Sequence, residues 1–186
     1  ITKDTLLYIK YNKIDFKRDN PERYAKIPIT AIKKILTYDN DIITYWCYLE
    51  TMKWDKNDLT DNSIAPVLIR SYDKIKEVMC VKGDKIKEYN DLLLKDELLL
   101  YATDGTYKDK KGNIKEYCNI YITLDYMDNR LTINDYKRWL KDGINQHINY
   151  MKDKYEAKTI TKPQIYTKEK LESIKNIHDK YIKLFG

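Results

Sequence analysis

A chain of 186 residues, 42% of them apolar, suffices for one domain with an appendage or two small domains, and it needs no disulfide staples to close a core. Its net charge of +6 and pI of about 8.9 favour an acidic partner such as nucleic acid. No apolar run approaches the roughly 20 residues of a membrane-spanning helix, so no membrane partner is expected. Cys47, Cys80 and Cys118 are scattered, odd in number and outside any C-x-x-C pair, and read as three small buried hydrophobes in a reducing compartment. His147 and His178 stand outside any Cys/His cluster, so no metal or other cofactor is expected. No signal peptide is legible, and a cytoplasmic location is expected. The positive charge is concentrated at the ends: residues 1–38 carry nine Lys/Arg against four Asp/Glu, residues 150–186 nine against five, and the middle is net acidic.

In chain order, Leu6 to Tyr11 is rich in β-formers and reads as a short strand. The polar stretch 12–26 follows, with Lys17, Arg18 and Arg23 available for phosphate contacts if it is an arm rather than a solvated connector. Pro28 to Leu36 has the opening residue and spacing of a short helix. Ile42, Tyr45, Trp46, Leu49 and Met52 recur at helical intervals and predict a strongly amphipathic helix over 41–53, with Asp39-Asn40-Asp41 as its cap. A polar loop, 54–63, leads to a short apolar strand at Val67 to Arg70.

The stretch Ser71 to Thr123 organises the rest. Tyr72 to Met79 reads as a short helix with Tyr72, Ile75, Val78 and Met79 inward. Cys80-Val81-Lys82-Gly83 is a tight connection, and Asp84 to Lys95 a second helix burying Ile86, Tyr89 and Leu93. Leu98 to Thr103 and Tyr117 to Leu124 read as strands joined through the turn Lys108 to Asn113. In the second strand Cys118, Ile120, Ile122 and Leu124 alternate with Tyr117, Asn119, Tyr121 and Thr123, the pattern of a half-buried strand. Helix, turn, helix, strand, turn, strand is the order of a winged helix-turn-helix, in which the strand at Val67 to Arg70 pairs with the wing. The expected fold is therefore α+β: a winged helix-turn-helix core at 24–125 with a two-stranded wing, an N-terminal strand and basic segment at 1–23, and a C-terminal helical extension at 126–186.

In that extension Thr132, followed three residues later by Asp135, resembles a capping box, and an apolar stripe predicts a helix of about 23 residues, some 34 Å long. Residues 157–166 read as a linker or extended segment, and Thr167 caps a last helix with Leu171, Ile174, Ile177, Tyr181, Ile182 and Phe185 on one face. The long stripe exceeds what a small module needs to cover. Packing back on the module, dimerisation, or docking of another protein are all open to it, and Trp139, Leu140, Ile144, Ile148 and Met151 are the dimerisation candidates.

If the second helix of the unit enters the major groove, Lys82, Lys85, Lys87 and Asn90 are its candidate DNA contacts. Its outward face also carries Asp84, Glu88 and Asp91, so it is nearly charge-balanced and holds no arginine. The wing turn supplies Lys108, Lys110 and Lys111, which would add affinity without reading sequence. No P-loop, Gly-rich nucleotide turn or catalytic constellation is present, and a non-enzymatic protein is expected.

Ile27-Pro28 opening a helix, the helix around Tyr45-Trp46-Cys47-Tyr48-Leu49 and the segment Ser71 to Leu100 resemble the N-terminal domains of plasmid replication initiators and phage replisome organisers of low-GC Gram-positive bacteria. The resemblance covers roughly residues 24–124, and Glu97 stands where such proteins commonly have Gly before the wing. It implies a double-stranded DNA-binding protein, often a homodimer in that family, acting in replication initiation or transcription control with a replication or regulatory protein as a further partner. The alternative is a non-enzymatic interaction module that uses the same fold to contact protein.

Overall fold

The computed structural model describes residues 7–9, 25–27, 29–52, 65–124 and 131–185. The fold is mixed α+β with antiparallel sheets. Strands β1 (Leu7–Ile9) and β2 (Ala25–Ile27) pair with each other. Lys17, Arg18 and Arg23 lie outside the described residues.

Helix α1 (Ile29–Ile35) buries Ala31 and Ile35; it ends one residue before Leu36, which is left exposed. Helix α2 (Asn40–Met52) is more than amphipathic. Every residue from Tyr45 to Glu50 is buried, so it runs through the core rather than along its edge. Strand β3 (Leu68–Arg70) leads into helix α3 (Tyr72–Met79), whose N-cap Ser71 accepts a hydrogen bond from the Lys74 N–H. The helix stops at Cys80, which takes a left-handed conformation (φ 53°). Cys80 is exposed there, which corrects the expectation of three buried cysteines; Cys47 is buried and Cys118 half-buried.

Helix α4 (Gly83–Lys95) buries Ile86, Tyr89 and Leu93 as its spacing requires, together with Asn90 and Leu94. It ends with Glu97 at φ 55°, while the Leu98 N–H reaches back to the Leu93 carbonyl. A left-handed backbone is what glycine adopts most cheaply, so Glu97 holds with a β-carbon a turn that glycine makes without strain.

The chain then makes a long bent hairpin from β4 (Leu99–Thr103), β5 (Thr106–Lys108), β6 (Ile114–Glu116) and β7 (Asn119–Thr123). Its inner half pairs β4 with β7 and its outer half β5 with β6, and the Tyr117 N–H bonds the Gly105 carbonyl across the bend. A β-carbon at Gly105 would lie 2.1 Å from the Tyr117 ring, so only glycine allows this ring to cross the bend as it does. At the tip, Asp109 accepts from the Lys111 and Asn113 N–H groups, and Gly112 supplies positive φ. The Asn113 backbone bond is the main cause holding the Asp109 carboxyl below its ordinary value.

Helix α5 (Ile133–Tyr155) has the predicted 23 residues, and the Asp135 carboxylate accepts from the Thr132 N–H as the capping box requires. Strands β8 (Ile160–Thr161) and β9 (Gln164–Tyr166) follow, then helix α6 (Lys168–Phe185), where the Lys170 N–H reaches the Thr167 hydroxyl. β9 adds to the free edge of β4, giving a four-stranded sheet in the order β3-β7-β4-β9. β8 adds to β5, giving a three-stranded outer sheet in the order β6-β5-β8. The arm expected as two-stranded is thus three-stranded over its outer half. Covering an open strand edge satisfies the N–H and C=O groups that it would otherwise expose.

The four-stranded sheet is covered on both faces. Thr123 donates to the Glu50 carboxylate of α2, and the Tyr101 hydroxyl to Asp91 of α4, which puts the odd-numbered residues of β7 and β4 toward those helices. α5 lies against β4 and β7 as well. All five residues of β7 are consequently buried, Tyr121 and Thr123 included, where alternation alone predicts a half-exposed strand. A single hydrophobic core joins Trp46, Leu93 and Ile122 to Leu140, Ile144 and Leu171. The boundary placed after residue 125 therefore separates no two packing units: the C-terminal region completes the sheet and the core of the segment before it.

Two corrections follow for the long helix. Leu140, Ile144, Ile148 and Met151 are buried within their own chain, at 0%, 4%, 7% and 5% exposure, and are not a dimer seam. Trp139 is partly buried against the same core, with its ring edge-on to Tyr136. α5 also comes close enough to Val67 that a β-carbon at Gly143 would sit 2.7 Å from a Val67 methyl group.

Candidate nucleic-acid interface

The predicted contacts divide by burial. Lys85 and Lys87 are exposed on α4, and Lys82 is exposed at its N-cap. Asn90 is fully buried and accepts a 2.7 Å hydrogen bond from the Tyr45 hydroxyl. It cannot reach a base edge, and its role is to satisfy a phenol inside the core. Lys85 is held by Glu88 at 2.6 Å, one turn along the same exposed face. On α3, Lys74 pairs with Glu77 and Lys76 with Asp73. Such exposed pairs are weak and are readily exchanged for a phosphate. Lys87 carries no ion pair among the described residues.

The outer hairpin holds the denser positive charge. Lys108, Lys110 and Lys111 are all exposed at its tip, and Lys115 joins them from β6. Lys158 arrives from the other side of the arm, where its N–H bonds the Lys108 carbonyl. Counter-charges are present: Lys110 pairs with Glu156 at 2.5 Å and Lys115 with Asp109 at 3.4 Å. Five lysines therefore share the tip, of which the turn sequence accounts for three. Lys115 was legible in the hairpin register. Lys158 was not, because it reaches the arm through the pairing of β5 with β8, across about 50 residues of chain.

Between these regions lies a cleft of about 1230 Å³. Arg70, Lys76 and Lys87 line it from β3, α3 and α4, and Tyr107 and Glu116 from the outer hairpin. The C-terminal half of α5 closes it with His147, Tyr150 and Tyr155. Aromatic rings knit α5 to the arm: Tyr107 meets Tyr155 at 6.1 Å between centroids, and Tyr117 meets His147 edge-on at 5.4 Å. The Tyr117 hydroxyl donates to the Thr161 carbonyl, and burial pushes its pKa up to about 12. The arm is thus braced against α5 and β8 along its length.

Burial lowers the pKa of His147 below its ordinary 6.5, since no carboxylate partner offsets the lost hydration. The folded state then disfavours the imidazolium. Stability is complete above about pH 6.5 and declines as the pH falls through the lowered folded value. Thermal melts followed by circular dichroism should show a drop in Tm between about pH 7.5 and about pH 5.5, and this drop should shrink in His147→Gln. An equal drop in both proteins would remove His147 as its source.

Among the described residues no group of three His, Cys, Asp or Glu is placed to hold a metal, and no helix is long and apolar enough to cross a membrane. Comparison of the chain with protein-family models, with curated proteins and with solved structures finds no match.

Proposed function

We propose that this chain is a winged helix-turn-helix protein that binds double-stranded DNA, with α4 as the groove-facing helix and the outer hairpin as the wing. The element order α2, β3, α3, α4, β4 to β7, with β3 paired to β7, suits that fold. The observation that carries the reading is the five-lysine arm tip, part of an arm that borders the same cleft as Lys87 of α4. A duplex backbone laid across that cleft would meet cations on both sides, and the braced arm would present its lysines with little loss of backbone freedom. Phosphate contacts from the tip would then supply most of the affinity, because the α4 face is balanced by Asp84 and Glu88.

The role in plasmid or phage replication initiation or in transcription control extends this reading, as does the homodimer. With the α5 stripe buried, a dimer would need another surface. Among the described side chains of α6, Ile174, Ile177 and Ile182 face outward, at 44%, 65% and 51% exposure. Light scattering near twice 22.4 kDa is the expected result, and Ile177→Lys should return it to the monomer mass.

Fluorescence anisotropy with random and AT-rich duplexes at low salt tests DNA binding itself. Lys111→Ala combined with Lys158→Ala should weaken binding to all sequences alike and reduce the salt slope by about one for each phosphate left without its lysine. Absence of binding at micromolar protein in low salt would overturn the proposal. The α4 ion pairs favour a second reading, in which the same face meets a charged protein surface; retained affinity for a protein partner in the double alanine variant, with no duplex binding, would select it.

A further inference from the structure

At the end of α4 remote from the cleft lies a second concavity, of about 410 Å³. Lys33 and Lys34 line it from the last turn of α1, Lys95, Asp96 and Glu97 from the end of α4, and Lys168 from the first residue of α6. The 13 residues of α4 make it about 20 Å long, so this hollow stands well apart from Gly83, Asp84 and Lys87, which line the cleft at the other end. The elements that build it are held together locally. The Lys34 ammonium donates to the Asp96 carbonyl at 3.2 Å, the Tyr38 hydroxyl donates to the Asp96 carboxylate, and α6 packs on α4.

The lysines here differ from their counterparts elsewhere on the surface. Lys74, Lys76, Lys85 and Lys110 each pair with a carboxylate. Lys33, Lys95 and Lys168 hold no ion pair among the described residues, although all three open onto one hollow. Four lysines against two carboxylates leave an excess of positive charge there, and the Asp96 carboxylate already accepts the Tyr38 hydroxyl. Lysines near the ends of α1 and α4 answer the exposed carbonyls of those helices, which accounts for Lys33, Lys34 and Lys95 one by one. It does not account for Lys168, which opens α6, the end of a helix at which a cation is disfavoured. Bringing that fourth ammonium to the other three adds to their mutual repulsion, and a bound anion relieves it.

We infer that this hollow is a site for a phosphate group, held by Lys33, Lys34, Lys95 and Lys168. Its concave shape lets ammonium groups from three helices reach one anion, and lysine binds phosphate as a point charge on a flexible stem. The volume lies at the small end of the range for ligand pockets, so a phosphate carried on a larger body also fits. The site goes beyond the duplex reading and does not depend on it. The phosphate can come from a small phosphorylated molecule or from a nucleic-acid backbone, and the two sources share the same contacts.

The test uses the full chain, with NMR of the backbone amides of Lys34, Lys95, Glu97 and Lys168. The probes are sodium phosphate, sodium pyrophosphate, sodium chloride at matched ionic strength, and a short duplex. Shifts at these amides that saturate with phosphate or pyrophosphate, and not with chloride, are the expected result. If the duplex also shifts them and added pyrophosphate reverses the change, the site takes a backbone phosphate; if the duplex leaves them in place, it takes a small phosphorylated molecule. Lys95→Ala/Lys168→Ala should weaken pyrophosphate binding by at least about fivefold, with the melting temperature no lower, because it removes two charges that no carboxylate answers. Lys95→Arg/Lys168→Arg, which keeps both charges, should retain it. Shifts no greater with phosphate and pyrophosphate than with chloride, or undiminished binding in the double alanine variant, would overturn the inference. Duplex anisotropy on the same samples reports the DNA reading separately, so either can fail alone.

Discussion

Leu140→Ala should destabilise the chain by about 2–5 kcal/mol without dissociating an oligomer, because its side chain is fully buried within its own subunit. The leucine lies on the α5 stripe that covers β4 and β7, beside Ile144 and Ile148 in the same core. Removing most of it leaves a hole that a sheet and a 23-residue helix cannot readily collapse. Urea unfolding at two protein concentrations gives the measurement. A midpoint that falls equally at both, with unchanged mass by light scattering, is the expected outcome. A variant that becomes monomeric from a dimer while keeping its unfolding midpoint would restore α5 as a subunit seam.

The second large effect is expected at Trp46. Its ring is fully buried in the middle of α2, and its Nε1 donates a 2.9 Å hydrogen bond to the Leu98 carbonyl. Leu98 lies where α4 ends and β4 begins, so this contact ties the central helix to the root of the hairpin. Trp46→Ala should cost about 3–5 kcal/mol. Trp46→Phe should cost clearly less, for two reasons. Phenylalanine keeps most of the buried ring, and the Leu98 carbonyl still accepts the Leu124 N–H at 3.0 Å, so no buried acceptor is orphaned. Hydrogen exchange at the Leu124 amide separates the cases: protection should persist in Trp46→Phe and fall with global stability in Trp46→Ala. Equal costs for the two substitutions would mean that the indole hydrogen bond, rather than ring volume, dominates this site.

The candidate site was legible in part. The hairpin turn was visible as Lys108 to Asn113 because Asp, Gly and Asn mark a reversal locally, and its lysines came with it. The outward face of α4 was visible because three buried residues define the opposite side of a helix. Asn90 went to the wrong environment because a polar residue at the flank of an apolar stripe looks solvent-facing, until a partner such as Tyr45 satisfies it inside the core. The cleft itself left no local trace. It is lined from several separate stretches of chain, and the sequence placed His147 in no cluster with other chemistry-bearing residues.

Periodicity and capping by themselves determined where the helices run: α3, α4 and α5 are set by i, i+3, i+4 spacing, by Ser71 and Thr132 at the starts of α3 and α5, and by chain reversals at their ends. These are interactions between near neighbours, and the residues that make them stand together in the sequence. Only the tertiary structure decided what those helices cover. The α5 stripe would suit a partner subunit as well as a sheet of its own chain, since apolar burial is non-directional and does not name its partner. The choice fell to the sheet once β8 and β9 joined the edges of the hairpin, because that pairing draws the C-terminal chain back across the fold. The same closure buried both faces of β7 and brought Lys158 to the arm tip, results of pairings too distant in sequence for any local pattern to encode.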